Sequence, residues 1–344
     1  MSAPNNQNES PTILGIETSC DETSAGVVRD GKVLSNIIAS QHIHAEYGGV
    51  VPEMASREHE RLLAYITRSA LESADTQLSE VDGIAVTSGP GLVGTLLVGV
   101  SFAKGLSLRN QLPLISVNHI EAHLLANFID NPKLDYPFLC LLVSGGHTQI
   151  IAVRSYRNYE ILGTTIDDAA GEAFDKVARL LDLGYPGGPI IDKKSKDGDV
   201  SKFDFPRGLS DSDELNFSFS GLKTAVLYAV RDLDEEARRE FTPDICASFQ
   251  EAAIESLVMK SMQAMQQTGI RRITIAGGVA ANSRLRSMLA QLSTQHNYEI
   301  FYPDFQYCTD NGAMIAFAGM HQMQAKQIDD LNIIARPRLS ISSI

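Results

Sequence analysis

Short apolar runs separated by turns open the chain, and longer segments of helical period follow them. Three runs predict strands at residues 12–16, 25–28 and 33–39, with Asp30-Gly31 as the hairpin signal between the last two. A helix is then predicted at residues 54–74, where apolar side chains recur at helical spacing. The remaining elements are a strand, a helix, a strand and a short helix, at residues 83–87, 93–108, 114–117 and from 119 onward. The predicted order is therefore βββαβαβα.

The same order of elements returns in the second part of the chain. Three strands are predicted at residues 138–143, 149–153 and 159–165, followed by a helix at 170–181 and, after a long gap, a second helix at 243–268. A strand at 272–276, a helix at 281–292, a strand at 299–302 and a helix from 310 complete this part. The gap at residues 184–242 looks irregular and interrupts only this copy, so we expect an inserted subdomain. Duplicated βββαβαβα halves around a central cleft are typical of the α/β actin-like ATPase fold of actin, Hsp70 and sugar kinases.

These patterns divide the chain into two lobes. A length of 344 residues suits two lobes of roughly 150 residues each. We expect a disordered N-terminal tail at residues 1–11, a first actin-like lobe at 12–137 and a second actin-like lobe at 138–307. A C-terminal helix that returns to the cleft is expected at 308–335, and a final tail at 336–344.

Composition excludes several classes of protein. Hydrophobic residues make up 44% of the chain, which is ordinary for a globular protein, and no apolar run approaches the roughly 18 residues of a membrane span. Residues 1–10 lack the basic and apolar regions of a signal peptide, and the four cysteines form no CxxC pair. We therefore expect a soluble, cytoplasmic protein with neither a disulfide framework nor a cysteine zinc site.

The net charge is strongly negative, at −13, from 29 Lys and Arg against 42 Asp and Glu. An acidic chain is a poor general binder of nucleic acid, because neutralising phosphates requires clustered cations. A nucleic-acid role would therefore require partner proteins or a local basic patch. We expect such a patch around Arg271, Arg272, Arg284 and Arg286.

Turns rich in small residues lie at matching positions of the two halves. Residues 18–23 and 144–148 follow the first strand of each half and offer backbone N–H groups to phosphate oxygens, although each alone could be an ordinary hairpin turn. Residues 89–94 match GxGxxG but follow the fourth strand, so we interpret them as close helix–sheet packing and not as a dinucleotide site. The turn at residues 277–282 is the better nucleotide candidate, because Asn282 at the helix start could hydrogen-bond a base.

His119 and His123 are four residues apart in a predicted helix, so both imidazoles could ligate one metal ion. The HExxH pattern of metalloproteases is absent, because the acidic residue is Glu121 and not the residue after the first histidine. Asp310, at the start of the matching helix of the other half, is the expected third ligand, with a helix N-cap as the alternative role. Two histidines and a carboxylate suit Fe²⁺ or Zn²⁺ acting as a Lewis acid.

Eight longer motifs resemble those of the tRNA threonylcarbamoyladenosine transferase family. They lie between residues 14 and 318 and read GIETSCDET (15–23), HAEYGGVVPE (44–53), NHIEAH (118–123), LVSGGHT (142–148), GEAFDK (171–176), YPGGP (185–189), FSFSGLKT (217–224) and AGGVAANS (276–283). Leu142 and His147 are similar to the bacterial branch, since archaeal and eukaryotic relatives carry Tyr and Asn at these positions.

The resemblance implies an activity and a site. The family transfers the threonylcarbamoyl group of threonylcarbamoyl-AMP to N6 of adenosine 37 in tRNAs that read codons beginning with A, and releases AMP. The resemblance also implies one divalent metal per subunit, with Fe²⁺ expected first and Zn²⁺ or Mg²⁺ as alternatives, held by His119, His123 and Asp310. The substrate-binding residues that it implies are Leu142, Val143, Ser144, Gly145, Gly146, Asp175, Gly188, Asp192 and Asn282.

Partners follow from the same resemblance. They are a TsaB-like paralogue in a heterodimer, a TsaE-like ATPase, tRNA, and a TsaC-type synthase that supplies threonylcarbamoyl-AMP. We expect the paralogue on exposed apolar residues near 54–70 and no membrane contact. A small-molecule kinase or ATPase of the same fold remains the alternative function, and no residue is assigned as a general base.

Overall fold

A computed structural model of the chain describes residues 11–210 and 212–343. The expected disordered tail at residues 1–11 thus lies almost wholly outside the described residues. The described chain forms two compact units. The first contains residues up to 42, residues 50–130 and those from 309 onward, and the second contains residues 43–49 and 131–308.

The first unit is built on a five-stranded mixed sheet in the order β3-β2-β1-β4-β5. In chain order, its elements are β1 (Ile13–Glu17), β2 (Glu22–Arg29), β3 (Lys32–Ser40), α1 (Pro52–Ser73), β4 (Gly83–Gly89), α2 (Val93–Asn110), β5 (Leu114–Asn118) and α3 (His119–Asp130). Strands β1 to β3 form antiparallel hairpins, whereas β1, β4 and β5 run parallel. Strands β1 and β4 are buried along their whole length, as expected for central strands covered on both faces.

The second unit contains the corresponding sheet, in the order β8-β7-β6-β9-β10. Its strands and helices are β6 (Phe138–Val143), β7 (Thr148–Ser155), β8 (Asn158–Thr164), α4 (Ala170–Leu180), α5 (Gly187–Lys194), α6 (Ser220–Arg231), α7 (Glu235–Thr268), β9 (Arg272–Ala276), α8 (Ser283–His296) and β10 (Glu299–Phe301). Strand β6 occupies the central position that β1 holds in the first unit. The matching strand orders confirm the internal duplication.

The last helix, α9 (Gly312–Gln324), belongs to the first unit although it follows β10 in the chain. It packs on β1 and β2, where the backbone N–H of Gly312 donates to Ser24 Oγ at 2.7 Å. The contact is close enough that a Cβ at Gly15 would collide with the backbone of Ala316. Glycine in β1 therefore lets this helix approach the sheet.

Three details of the predicted elements were wrong. Residues 184–242 are not irregular, because they contain α5, α6 and the first turns of α7. Helix α7 begins at Glu235 and not at Pro243, since Asp234 caps it by accepting from the backbone N–H of Ala237 at 2.8 Å. The last helix begins at Gly312, two residues after the predicted start. None of the described helices is long and apolar enough to cross a membrane.

Candidate functional site

Three neighbouring strands of the first unit bring polar residues to one edge of its sheet. Strand β1 ends at Glu17, β4 carries Thr87 near its end, and β5 ends at Asn118, directly before His119. Because β1, β4 and β5 are parallel, their carboxyl ends meet at the same edge. The candidate metal site lies at this edge.

Glu17 is fully buried, and both of its carboxylate oxygens have partners. Oε1 accepts from the backbone N–H of Ser19, and Oε2 accepts from Thr87 Oγ1 at 2.6 Å. Oε2 also lies 3.1 Å from Nδ1 of His119. A carboxylate that faces Nδ1 favours a proton on that nitrogen, which leaves Nε2 of His119 as the ring atom directed toward another partner.

The second partner of His119 is Asp310. Nε2 of His119 lies 3.4 Å from Asp310 Oδ1, and Nε2 of His123 lies 3.1 Å from the same oxygen. The two rings of α3 meet edge to face, with their centroids 4.7 Å apart. One potential ligand atom from each residue lies within 4.8 Å of the other two. His119, His123 and Asp310 can therefore hold one metal ion.

The surroundings of the three residues fit a bound divalent ion. Two imidazoles and a carboxylate suit Fe²⁺ or Zn²⁺, and three protein ligands leave positions open for substrate or water. Glu17 supplies the outer carboxylate that metal-bound histidines commonly carry. Nδ1 of His123, by contrast, is buried without a hydrogen-bond partner in the described part of the chain.

Burial disfavours charge on each member of this cluster, and the neighbouring charges decide the balance. Burial alone would raise the pKa of Asp310, but His119 and His123 outweigh it and the pKa lies well below its usual value. Burial would lower the pKa of His119, but Asp310 and Glu17 outweigh it and raise the pKa well above its usual value. For His123 burial prevails, and its pKa is lowered. Asp310 thus stays ionised, as a metal ligand must be.

The thiol of Cys20, in the turn after β1, resists ionisation. Burial raises the pKa of its thiol well above the usual value, and the carboxylates of Asp21 and Asp310 raise it further. Since the thiolate is the reactive form of cysteine, this shift disfavours nucleophilic reactions of Cys20 at neutral pH.

Asp310 is not the N-cap of the last helix, which corrects the alternative role considered for it. Asn311 caps α9, because its side-chain Oδ1 accepts from the backbone N–H of Met314 at 2.9 Å. The Asp310 side chain is thereby left to face the two histidines, and it is about 20% exposed.

Five of the predicted substrate residues, Leu142 to Gly146, lie at the end of β6 and in the turn that follows it. Leu142 and Val143 belong to β6 and have buried side chains, so the turn itself begins at Ser144. The backbone N–H of Ser144 donates to the carbonyl of His147 at 2.8 Å, which closes the turn. A Cβ at Gly145 or Gly146 would meet no atom within 4 Å, so open space surrounds these two residues.

The four other predicted substrate residues lie in the same unit, and each acidic or amide side chain also has a structural partner. Asp175 accepts from the backbone N–H of Gly187 at 2.7 Å, which fixes the start of α5, and Gly188 faces open space. Asp192 accepts from Ser283 Oγ at 2.7 Å. Asn282 caps α8 through the backbone N–H of Leu285 at 3.0 Å and donates to Gln250 at 2.7 Å.

The GxGxxG segment, which begins at the end of β4, packs against protein atoms, although these belong to the turn after β1, to α1 and to the C-terminal segment and not to a helix–sheet contact. A Cβ at Gly91 would lie 2.6 Å from the carbonyl of Ser19, and one at Gly94 would lie 2.5 Å from Ser56 Oγ. A Cβ at Gly89 would collide with the backbone of Arg336. Protein atoms therefore occupy the space in which a dinucleotide would have to lie.

The four guanidinium groups of the expected basic patch all have partners within the second unit. Arg284 forms two bonds of 2.6 Å to Glu251, and Arg272 lies 3.4 Å from Glu299. Arg271 donates to the carbonyls of His296 and Asn297, and Arg286 donates to Ala280 and Pro303 and stacks over Phe305. These contacts fix loops and helix ends, and among the described residues Arg284 and Arg272 are paired with carboxylates whereas Arg271 and Arg286 are bonded to backbone carbonyls.

Two residues of the candidate site were missed from the sequence, Glu17 and Thr87. Glu17 lies within the GIETSCDET motif, where a single acidic residue at a strand end also suits an ordinary turn. Its position at the end of the first buried strand of an α/β sheet was the available signal, because sites gather at the carboxyl ends of parallel strands. Nothing in the sequence marks Thr87.

Comparison with known proteins agrees with these observations. The family described as "TsaD: tRNA N6-adenosine threonylcarbamoyltransferase" matches residues 32–317. A protein named tRNA N6-adenosine threonylcarbamoyltransferase from Thermosipho africanus is 52% identical to this chain over 330 residues, which are 96% of this chain and 99% of that protein. A protein of the same name from Caldicellulosiruptor saccharolyticus is 51% identical over 333 residues, which are 96% of this chain and 98% of that protein.

A solved structure shares the fold at low sequence identity. The crystal structure of T. kodakarensis HypF superposes with a TM-score of 0.62 at 16% identity, over 92% of this chain and 48% of that one. The chain has the actin-like ATPase fold. With about half of its residues identical to those relatives over nearly its whole length, the chain belongs to the tRNA N6-adenosine threonylcarbamoyltransferase family and is a transferase.

Proposed function

We propose that this transferase moves the threonylcarbamoyl group of threonylcarbamoyl-AMP onto N6 of adenosine 37 in tRNAs that read codons beginning with A. The observation that carries the metal-dependent form of this proposal is the cluster of His119, His123 and Asp310, with its ligand atoms within 4.8 Å and Glu17 behind it. In this reaction the N6 nitrogen forms a bond to the carbamoyl carbon, and the bond from that carbon to the phosphate oxygen breaks. AMP leaves with the electron pair, and the amine releases one proton.

His119, His123 and Asp310 would hold Fe²⁺, with Zn²⁺ or Mg²⁺ as alternatives. When bound, the ion would supply a Lewis acid that polarises an oxygen of the donor. The protein's own contribution is orientation, since Thr87 fixes Glu17 and Glu17 keeps the proton on Nδ1 of His119. Such buried support keeps the ligand geometry rigid before substrate arrives.

The donor would be bound by residues of the second unit. The backbone N–H groups of Gly145 and Gly146 suit a phosphate, and the open space around both glycines supports this role. Leu142 and Val143 would contribute only through their backbone, and Ser144 through the turn that it opens. Asp175 would act by fixing α5, which carries Gly188 and Asp192, and Asn282 by holding the start of α8.

Partners belong to the same proposal. A TsaB-like paralogue would contact α1 and α2, and the large exposed side chains of Tyr65, Val93 and Leu97 on these helices support that placement. A TsaE-like ATPase would assist turnover, and a TsaC-type synthase would supply the donor. A cytoplasmic location belongs to the same proposal, because tRNA would be the substrate. The four cysteines support it, since they form no disulfide and thiols stay reduced in the cytoplasm.

Reconstitution tests the proposal. The purified protein, with and without its partners, is incubated with unmodified tRNA and chemically made threonylcarbamoyl-AMP, and the digested nucleosides are read by mass spectrometry. We expect threonylcarbamoyladenosine at position 37 and one AMP for each modified tRNA. AMP release without any modified nucleoside would contradict the proposal and favour hydrolysis, while phosphorylation of small molecules by ATP would favour the kinase alternative.

A further inference from the structure

The C-terminal segment, residues 336–340, lies across the metal-site edge of the first unit's sheet. The backbone N–H of Arg336 donates to the carbonyl of Ser88 at 2.7 Å, and the backbone N–H of Gly91 donates to the carbonyl of Pro337 at 3.3 Å. The side chain of Asn118 donates to the carbonyl of Leu339 at 3.4 Å. The segment is therefore attached to the ends of β4 and β5 through main-chain groups.

The same segment forms a tight turn. The backbone N–H of Leu339 donates to the carbonyl of Arg336 at 3.1 Å, which places Pro337 at the second position of the turn, where proline is favoured. The side chains of Arg336 and Arg338 are left exposed. In the part of the chain that the structure describes, neither guanidinium forms an ion pair. The backbone is fixed while both cationic groups remain available.

The backbone of this segment is connected to chain neighbours of the metal-site residues by hydrogen bonds. Ser88, which receives the Arg336 N–H, follows Thr87, whose hydroxyl holds Glu17. Asn118, which donates to Leu339, directly precedes His119. The residues of the segment also line a wide, shallow depression of the surface. The segment is therefore attached next to the strand ends that carry the metal-site residues.

We propose that Arg336 and Arg338 bind backbone phosphates of the tRNA substrate and so position its adenosine at the His119–His123–Asp310 cluster. This inference rests on the proposed function, because it takes tRNA as the substrate. A chain of net charge −13 repels a polyanion unless cations without acidic partners meet it locally, and this turn presents two of them. Guanidinium groups suit the role, since their planar donors match phosphate oxygens in pairs.

The test measures tRNA binding by the full-length protein over a range of KCl concentrations, for the wild type, R336A/R338A and R336K/R338K. The matched control is Arg109→Ala, which removes an exposed arginine of the same unit. Arg109 lies at the end of α2, and this helix begins beside the Gly89–Gly94 turn and runs away from the site. We expect the alanine pair to bind tRNA about tenfold more weakly at 0.1 M salt. The logarithm of the tRNA association constant falls linearly with the logarithm of the KCl concentration, and the magnitude of this slope should decrease by about 0.7–0.9 for each phosphate that the variant no longer neutralises. R336K/R338K should retain most of the slope, and Arg109→Ala should match the wild type.

Metal content and the KM for threonylcarbamoyl-AMP should not change in these variants, whereas the KM for tRNA should rise as binding weakens. Unchanged tRNA affinity and salt slope in R336A/R338A would overturn the proposal, as would an equal weakening in Arg109→Ala. Loss of a partner protein with tRNA binding intact would also overturn it and assign the arginines to a protein surface. The binding assay does not depend on turnover. If the wild-type protein failed to modify tRNA, the proposed function would be rejected, and the binding data would still decide whether the two arginines bind tRNA.

Discussion

Oε2 of Glu17 lies 3.1 Å from Nδ1 of His119, while Nε2 of the same ring faces Asp310 at 3.4 Å. One imidazole thus joins a buried strand end to the outermost ligand of the candidate metal site. The Glu17 side chain is fully buried and that of Asp310 is about 20% exposed, so the cluster is supported from inside and open on the Asp310 side. The following predictions test this arrangement.

Glu17→Gln should weaken metal binding without removing any ligand. The amide keeps the shape of the side chain but loses the charge that holds the proton on Nδ1 of His119. We expect metal affinity to fall about 10–100-fold, the usual effect of changing an outer partner of a ligand. Chelator competition measures the affinity, and Glu17→Asp serves as the charge-conserving comparison. Unchanged affinity in Glu17→Gln would show that Glu17 has no part in metal binding.

His119→Ala, His123→Ala and Asp310→Asn should each abolish stoichiometric metal. Each variant removes one of three protein donors, and the loss of one donor leaves the other two without a defined geometry. Metal analysis after loading with Fe²⁺ should give close to one ion per wild-type chain and far less in the three variants. His296→Ala, at the C-terminal end of α8 in the second unit, is the control and should bind like the wild type. Full metal content in His123→Ala would contradict the assigned ligands.

Asp168→Asn should lower stability at neutral pH. Asp168 accepts from Lys176 Nζ at 2.8 Å and Lys223 Nζ at 3.2 Å, and its side chain is only 16% exposed. Burial raises the pKa of Asp168, but the two lysines outweigh it and lower the pKa below the usual value. We expect a loss of about 1–2 kcal/mol at pH 7 in urea unfolding.

The pH dependence follows from the direction of that shift. Because the pKa of Asp168 is lower in the folded state, its contribution is complete above the unfolded-state pKa of about 3.9 and is lost as pH falls through the folded-state value. The difference between Asp168→Asn and the wild type should therefore stay constant from pH 7 to pH 5 and shrink only below about pH 4. Glu172→Gln, which removes the half-exposed partner of Lys176, should cost about 0.5 kcal/mol or less. A difference that shrinks already between pH 7 and pH 5 would contradict the assigned ion pairs.

Gly145→Ala and Gly146→Ala should impair donor binding and leave the fold intact. A methyl group at either position meets no protein atom within 4 Å, so no strain is expected in the free protein. A bound phosphate would meet the added methyl, and we expect the KM for threonylcarbamoyl-AMP to rise about tenfold, within the usual cost of overpacking. Gly221→Ala in α6 also adds a methyl group in open space and is the matched control. An unchanged KM in both turn variants would remove this turn from the donor site.

The duplicated order of elements could be predicted because strands and helices of this chain have strong hydrophobic periods and clear turns between them. Helix α6 and the start of α7, both inside residues 184–242, were also marked in the sequence. Buried Leu222, Val226 and Val230 of α6 recur every four residues, and Asp234 is a typical N-cap. Proline and glycine residues elsewhere in this stretch favour turns and interrupt the helical pattern.

The metal ligands and the arginines illustrate what sequence can and cannot reveal. His119 and His123 are predictable because four residues are one helical turn, whereas Asp310 lies far along the chain from both and required the internal duplication. The partners of the arginines are set by tertiary packing. Arg284 meets Glu251 across 33 positions of chain, and no local pattern distinguishes it from Arg338, which has no ion pair among the described residues.

The most direct test of metal-dependent threonylcarbamoyl transfer is a single-turnover reaction of stripped and reloaded protein. Metal is removed with a chelator and its absence verified by elemental analysis, and the protein is then mixed with threonylcarbamoyl-AMP and unmodified tRNA before and after addition of one equivalent of Fe²⁺. We predict threonylcarbamoyladenosine at position 37 only in the reloaded sample, and none with reloaded His119→Ala. Equal rates in stripped and reloaded wild-type protein, or no product in either, would contradict the account.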